Sequence, residues 1–484
     1  MAPHSCFSEI QMLHDANLKM LRTSRVNRPT VRCRHCKTRL TCNLLAVRDH
    51  LMGCTNAARM PNLSTARSSD LASAIVDNSE RAALPAELPA KMKVQGPAQE
   101  LLKPLQLPQR TLTGPGPSNC SPRVLRALQQ QVLGHMHPEI FQLMDEIKAG
   151  LRYAFQTSNR LTLAVSASGH AGMEAAIGNV LERGQTILVA KAGLWGERAA
   201  DVAARLGLRV GFLEIEPGVA FGLSELEAAV KKHQPAAVFV AHSESSTGLK
   251  QPLEGIADVV HKYGGLLIVD TVASLGAEPF FADAWGVDVV YSGSQKVLGA
   301  PAGITPISFS PKAEHKILNR KSPIPVFYWD MTWLGRYWNC FENQGPRPYH
   351  HTISATLVYG LREALAQLAE EGLVNCWARH ASVTDKFHDG LIKRGYRFFV
   401  KDPDHRLKTV SAIVLPEDVE APLVIRYAMQ KYNVEISGGL GPTVGKVIRI
   451  GLMGVNATPG HVDLVLRALD EAIKHAKQHL RSHI

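Results

Sequence analysis

From about residue 104 the chain alternates two hydrophobic patterns. Short, continuously apolar runs end in small or polar residues: "LTLAVSASG" (161–169), "TILVA" (186–190), "AAVFVAHSE" (236–244), "LLIVD" (266–270) and "VVY" (289–291). Between them lie "HAGMEAAIGNVL", "GERAADVAARLG" and "LEGIADVVHKYG", whose apolar residues recur at helical spacing and stop at glycine. Apolar strands separated by amphipathic helices predict an α/β fold, with a mostly parallel sheet covered on both faces. From about residue 372 the order changes. A long helical stretch is followed by "RFFV", "TVSAIVLP", "VEISGG" and "VIRIGLM", then a final long helix. The pattern predicts a large domain over 104–371 and a smaller α+β domain over 372–484.

In a parallel sheet, ligands bind beyond the carboxyl ends of the strands, so those ends are where the chemistry is sought. The first run ends at Ser168, Gly169 and His170, a glycine turn that opens a helix. Its backbone N–H groups and helix dipole suit a phosphate. Ser245 lies in "AHSESSTG". Asp270 directly follows four apolar residues, where a carboxylate is costly without a partner, a helix N-cap being the alternative role. Lys296 follows "VVYSGSQ" and is flanked by Ser292, Gly293, Ser294, Gly299, Ala300, Ala302 and Gly303. A lysine just past a strand is ordinarily a solvated charge. Walled by small residues and partly buried, its amine instead loses its proton readily and can attack a carbonyl.

One ligand accounts for these groups together. Pyridoxal phosphate carries a phosphate for the glycine turn, a ring nitrogen for Asp270 and an aldehyde for Lys296. Trp195, in "AGLWGERA", falls in the right order along the chain to stack on the ring, a core tryptophan being the other reading of the composition. Arg449, within the apolar strand "VIRIGLMG", calls for an anion.

The segments "YSGSQKVLGAPAG", "VDTVASLG", "HSESSTG", "TGPGPSN", "YHHTI" and "ISGGLGPTVGKVIRIGLMG" together resemble the alanine–glyoxylate (serine–pyruvate) aminotransferase family. These are class V members of the fold-type I pyridoxal-phosphate enzymes. The resemblance runs from about residue 100 to the end. It implies a mostly parallel sheet of the seven-stranded type between helices, with a smaller C-terminal domain. It implies that Lys296 and Asp270 are catalytic, and that Ser168, Gly169, His170, Trp195, Ser245 and Gln295 line the cofactor site. Tyr349 and Thr352 would reach the cofactor phosphate of a neighbouring subunit, so a homodimer with shared active sites is implied. Arg449 would hold the substrate carboxylate through a bidentate pair, and Gly114 and Gly116 would let the backbone approach the substrate. The expected reaction moves the amino group of alanine or serine to glyoxylate or pyruvate. The alternatives on the same scaffold are a kynurenine-type transaminase and a cysteine desulfurase-like lyase, for which Cys340 is the nearby cysteine.

The chain has 484 residues, 45% hydrophobic, and no apolar run of the ~18 residues that span a bilayer. No membrane partner is expected. Eight cysteines in this length do not form a disulfide scaffold. The formal charge of +11 is uneven. Residues 1–60 hold ten Lys and Arg against three acids, and five of the cysteines. The remaining body is mildly basic, which suits small anionic substrates better than nucleic acid. Within the head, Cys33, Cys36, His50 and Cys54 have the spacing of a closed zinc site and resemble a BED-type finger. That makes a DNA-binding protein the non-enzymatic alternative. Residues 61–103, rich in Ala, Ser and Pro, predict a flexible linker. The C-terminal Ser482-His483-Ile484 fits a peroxisomal tripeptide only loosely. Peroxisomal location is the expectation from the resemblance, with mitochondrial and cytoplasmic location as alternatives.

Overall fold

The computed structural model describes residues 18–21, 30–33, 39–41, 95–342 and 345–481. The chain divides into two compact units, Met1–Leu105 and Gln106–Ile484. In the first, strands β1 (Leu18–Leu21), β2 (Thr30–Cys33) and β3 (Arg39–Thr41) pair antiparallel in that order.

The second unit is built on a seven-stranded sheet. Its strands are β4 (Leu161–Val165), β5 (Thr186–Lys191), β6 (Arg209–Glu214), β7 (Ala237–Ala241), β10 (Leu266–Asp270), β11 (Val289–Tyr291) and β12 (Thr305–Phe309). A two-stranded ribbon, β8 (Ser243–Glu244) with β9 (Leu249–Lys250), follows β7. The sheet order is β4-β12-β11-β10-β7-β5-β6. The pairs β11/β10, β10/β7, β7/β5 and β5/β6 are parallel. Only β12 runs against its neighbours β4 and β11. Strands β4, β7, β10, β11 and β12 are buried at every residue. That is why they read as unbroken apolar runs and not as alternating ones.

The helices that follow the strands reflect how deeply each is packed. Gly169–Val180 is buried at ten of its twelve positions, and its polar side chains are His170, Glu174 and Asn179. Such a helix is covered on most of its circumference. Leu194–Arg205 buries only small residues (Gly196, Ala199, Ala200, Ala203) and Val202, with charges on the other face. Small residues let a helix lie close to its sheet.

A second sheet, β13 (Arg397–Phe398), β14 (Val410–Val414), β16 (Val447–Gly451) and β15 (Ser437–Gly438), is antiparallel throughout. Its core is a separate apolar cluster that includes Phe387, Ile413, Val424, Ile448 and Leu469. The segment after residue 110 threads into it. Thr111 N–H donates to Asn433 O, Glu435 N–H to Thr111 O, and Gly451 N–H to Thr113 O. The loop Gly114–Pro115–Gly116 is thereby carried on the smaller sheet's backbone. Among the described residues no helix is long and apolar enough to cross a membrane.

Candidate active site

The carboxyl ends of β4, β7, β10 and β11 open onto one cavity. Ser168, Gly169, His170, Trp195, Ser245, Asp270, Gln295 and Lys296 all line it, together with Met173, Ser243, Val272, Ala273 and Tyr291. Eight residues picked out along 129 positions of sequence thus meet at one end of one sheet, as parallel topology requires.

Asp270 is the last residue of β10 and is 3% exposed. Its Oδ1 accepts the Val272 N–H at 2.8 Å and its Oδ2 accepts the Tyr291 hydroxyl at 2.5 Å. Burial pushes the carboxyl up to about 6, against those two bonds and the charge of Lys296. Lys296 lies just past β11, mostly buried, and its Nζ donates to Pro115 O at 2.5 Å. Burial first, then the charge of Arg449, lowers the amine to about 8, opposed by Asp270 and Glu435. An amine of that pKa spends a useful fraction of its time unprotonated near neutral pH. The loop that meets it must be glycine. Gly116 has φ +111, and a Cβ there would stand 2.4 Å from Lys296 Nζ.

Ser168 caps the helix Gly169–Val180, yet its hydroxyl makes no capping bond, and no acidic residue occupies the first turn. The orphan N–H groups of that turn and this hydroxyl form an anion cradle. Across the cavity Trp195 packs edge-on against His170, with ring centroids 5.6 Å apart, and its Nε1 donates to Ser245 Oγ at 2.9 Å. Ser245 O in turn accepts from Arg449 Nη1 at 3.1 Å, while Arg449 Nε donates to Gly438 O at 2.8 Å. Neither bond uses Nη2. Arg449 is buried, and burial lowers its pKa.

Tyr349 and Thr352 stand apart. Neither lines the cavity, both are exposed, and Tyr349 is 57% exposed. The two histidines between them are fixed. His350 Nε2 faces the carbonyl of Phe327 at 3.1 Å and so carries the hydrogen, leaving its Nδ1 to accept from His351 Nδ1 at 2.8 Å. His351 Nε2 then accepts from Ser166 Oγ at 2.6 Å. Burial, with His350 and His135 nearby, holds His351 down to about 4, so His351 stays neutral. Tyr349 and Thr352 are exposed on either side of this hydrogen-bonded pair.

The sequence reasoning missed three groups. Tyr291 is the hydroxyl partner of Asp270, and read only as the end of an apolar run. The Pro115 carbonyl carries no side-chain signal. Glu244 is buried beside Trp195, and its neighbours Ser243 and Ser246 made the stretch look like a polar turn.

Cys340 is not a site residue. Its thiol is buried against the Thr162 carbonyl of β4, away from the cavity, and burial pushes it up to about 11. A mobile, reactive thiolate is the opposite of this environment. The zinc expectation at Cys33, Cys36, His50 and Cys54, and the tripeptide Ser482-His483-Ile484, fall outside the residues whose side chains are described. Among the described residues no group of three His, Cys, Asp or Glu side chains could hold a metal ion.

Comparison with known proteins places this geometry. Residues 111–465 match the family model "Aminotransferase class-V". The chain is 50% identical over 378 residues to alanine–glyoxylate aminotransferase of Felis catus, covering 78% of this chain and 91% of that protein. It is 49% identical over 389 residues to alanine–glyoxylate aminotransferase of Drosophila melanogaster, covering 80% of this chain and 98% of that one. Among solved structures, alanine–glyoxylate aminotransferase from Nostoc sp. superposes with a TM-score of 0.75 at 42% identity, over 78% of this chain and all of that one.

Proposed function

The chain belongs to the class-V aminotransferase family and is an aminotransferase, and from that premise we propose that it uses pyridoxal phosphate to move the amino group of alanine, or serine, to glyoxylate or pyruvate. The observation that carries the proposal is the meeting of the Lys296 amine and the Asp270 carboxyl in a cavity that is also lined by the anion cradle at Ser168–His170. A phosphate, a basic ring nitrogen and an aldehyde match those three features. The donor set therefore fits the cofactor.

When bound, pyridoxal phosphate supplies an aldehyde for an amine and a ring that takes up the electron pair released at the donor's α-carbon. Asp270, ionised, holds a proton on the ring nitrogen and so favours that uptake. Lys296, with an amine near 8, takes the proton from the α-carbon and later returns it. Arg449 binds the donor's carboxylate with the edge its two backbone bonds leave over, which orients the α-carbon. Trp195, on the cavity wall beside His170, would shield the ring from water. The Ser168 hydroxyl and the helix N-terminus bind the phosphate.

The test is a panel of amino donors offered to the purified protein with glyoxylate. Turnover with alanine or serine giving glycine is the expected result. Inactivity with both, alongside strong turnover of hydroxykynurenine, contradicts the substrate assignment and supports the kynurenine-type alternative.

The proposal extends to a homodimer. Tyr349 is exposed next to His350, on which the exposed Phe327 stacks at 4.7 Å, and Phe327 in turn lies 5.9 Å from the exposed Trp333; exposed aromatic rings gathered in this way mark an association surface. Tyr349 and Thr352 then complete the phosphate site of the partner subunit. A mass of two chains in sedimentation is expected. Tyr349→Phe is expected to raise the cofactor dissociation constant about tenfold, the loss of one bond to a charged group. A monomer, or an unchanged constant, contradicts the shared site.

A further inference from the structure

Glu244 is 1% exposed and sits in the ribbon strand β8, between Ser243 and Ser245, which both line the cavity. We propose that Glu244 is a positioning residue for amino transfer: it fixes the tryptophan that covers the cofactor and offsets the charge of the arginine that binds the donor's carboxylate. The assignment rests on the roles of Trp195 and Arg449 given above.

The first half is geometric. Glu244 Oε2 accepts the backbone N–H of Trp195 at 3.0 Å. Its Oε1 accepts the backbone N–H of Ser246 at 3.1 Å and the Ser246 hydroxyl at 2.5 Å. Ser246 Oγ also accepts the Leu194 N–H at 3.1 Å. Two orphan N–H groups at the start of the helix Leu194–Arg205 are therefore held by this one turn. Gly193 makes the approach feasible, because a Cβ there would stand 2.5 Å from the Glu244 carboxyl carbon. The indole is pinned at both ends, by Glu244 through its backbone and by Ser245 through Nε1.

The second half is electrostatic. Arg449 makes two bonds to backbone carbonyls, and among the described residues no side-chain carboxylate pairs with it by contact. Glu244 directly precedes Ser245, whose carbonyl takes the Arg449 Nη1–H, and its charge acts on Arg449 together with the opposing charge of Lys296. Asp270 and Tyr291 are the other titratable groups that face Glu244. Burial raises the Glu244 carboxyl to about 7, so it is ionised at pH 8. A buried anion near Arg449 opposes the donor's carboxylate. It weakens the hold on donor and product alike and favours product release.

These two halves give opposite signs. In Glu244→Gln, the amide leaves either the Trp195 or the Ser246 N–H facing a donor, and removes the anion. At pH 8 the cofactor dissociation constant, read by titrating the apo-protein and following tryptophan fluorescence, is expected to rise about tenfold. The KM for the amino donor is expected to fall about threefold in the cofactor-saturated protein, as the competing charge is lost. A residue that merely supports the fold would raise both constants. An unchanged cofactor constant, or an unchanged or higher donor KM, overturns the proposal. Should Glu244→Gln fail to fold, Ser246→Ala keeps the carboxylate and removes one of its donors. It is expected to raise the cofactor constant about threefold with donor KM unmoved, and no rise overturns the proposal. Wild-type protein that neither binds pyridoxal phosphate nor transaminates sinks the reading of the whole site. Active wild-type protein with unaltered constants in the variant sinks this assignment alone.

Discussion

Lys296→Ala is expected to lower turnover by about four orders of magnitude while leaving the fold intact. The general acid–base contribution of a positioned amine alone accounts for roughly 10²–10⁴. Alanine leaves nothing else lining the cavity that can carry a proton from the donor's carbon, because the other titratable groups there are the paired Asp270, the buried Tyr291 and His170 packed against Trp195. The same amine governs cofactor uptake. Only its neutral form attacks an aldehyde, so reconstitution of the wild-type apo-protein is expected to speed up as pH rises towards about 8 and to level off above it. Removing the amine costs little stability, since its one hydrogen bond is to the Pro115 carbonyl. Single-turnover kinetics and thermal unfolding of the variant check both statements. Residual turnover within tenfold of wild type contradicts the role of Lys296.

Asp270→Asn is expected to trade activity for stability. Burial raises the carboxyl from 3.8 to about 6, so the folded apo-protein binds this proton more tightly than the unfolded chain does. Stability from this group is then fullest below pH 4 and is lost as pH rises through 6. A rise of that size corresponds to roughly 3 kcal/mol. A neutral asparagine escapes that loss but leaves the Val272 N–H or the Tyr291 hydroxyl less well matched, at about 1–2 kcal/mol. The apo-variant at pH 8 is expected to be more stable by about 1–2 kcal/mol in denaturant unfolding, the difference between those figures. Its turnover is expected to fall about a thousandfold, because an amide cannot hold a proton on the ring nitrogen as a carboxylate does. An Asn variant that keeps wild-type turnover contradicts the placement of the ring against this strand end. One that is less stable than wild type at pH 8 contradicts the desolvation account of Asp270.

The parallel strands were legible because they are buried on both faces, and their helices because glycine stops them. β12 was not. Pro306 lies inside it, and a proline argues against a central strand, since it removes a ladder donor. The sheet absorbs it because β12 runs antiparallel to both neighbours, and the Pro306 carbonyl still accepts the Ser292 N–H at 3.0 Å. β6 is an edge strand with Phe212 exposed, and its mixed pattern carries no strong period.

The site was legible where a side chain breaks a hydrophobic run, as Asp270 and Arg449 do. It was illegible where the group is backbone, as with Pro115, or where a reactive neighbourhood is spelled in polar residues, as with Glu244. Tyr349 and Thr352 could be named from the resemblance but not from spacing. Their place outside the cavity follows from tertiary structure alone.

The most direct measurement is borohydride reduction of the purified, yellow protein followed by peptide mapping. The account predicts loss of the visible band and one modified peptide, carrying the cofactor on the ε-nitrogen of Lys296. A colourless protein that takes up no pyridoxal phosphate, or label fixed on any other lysine, would contradict it.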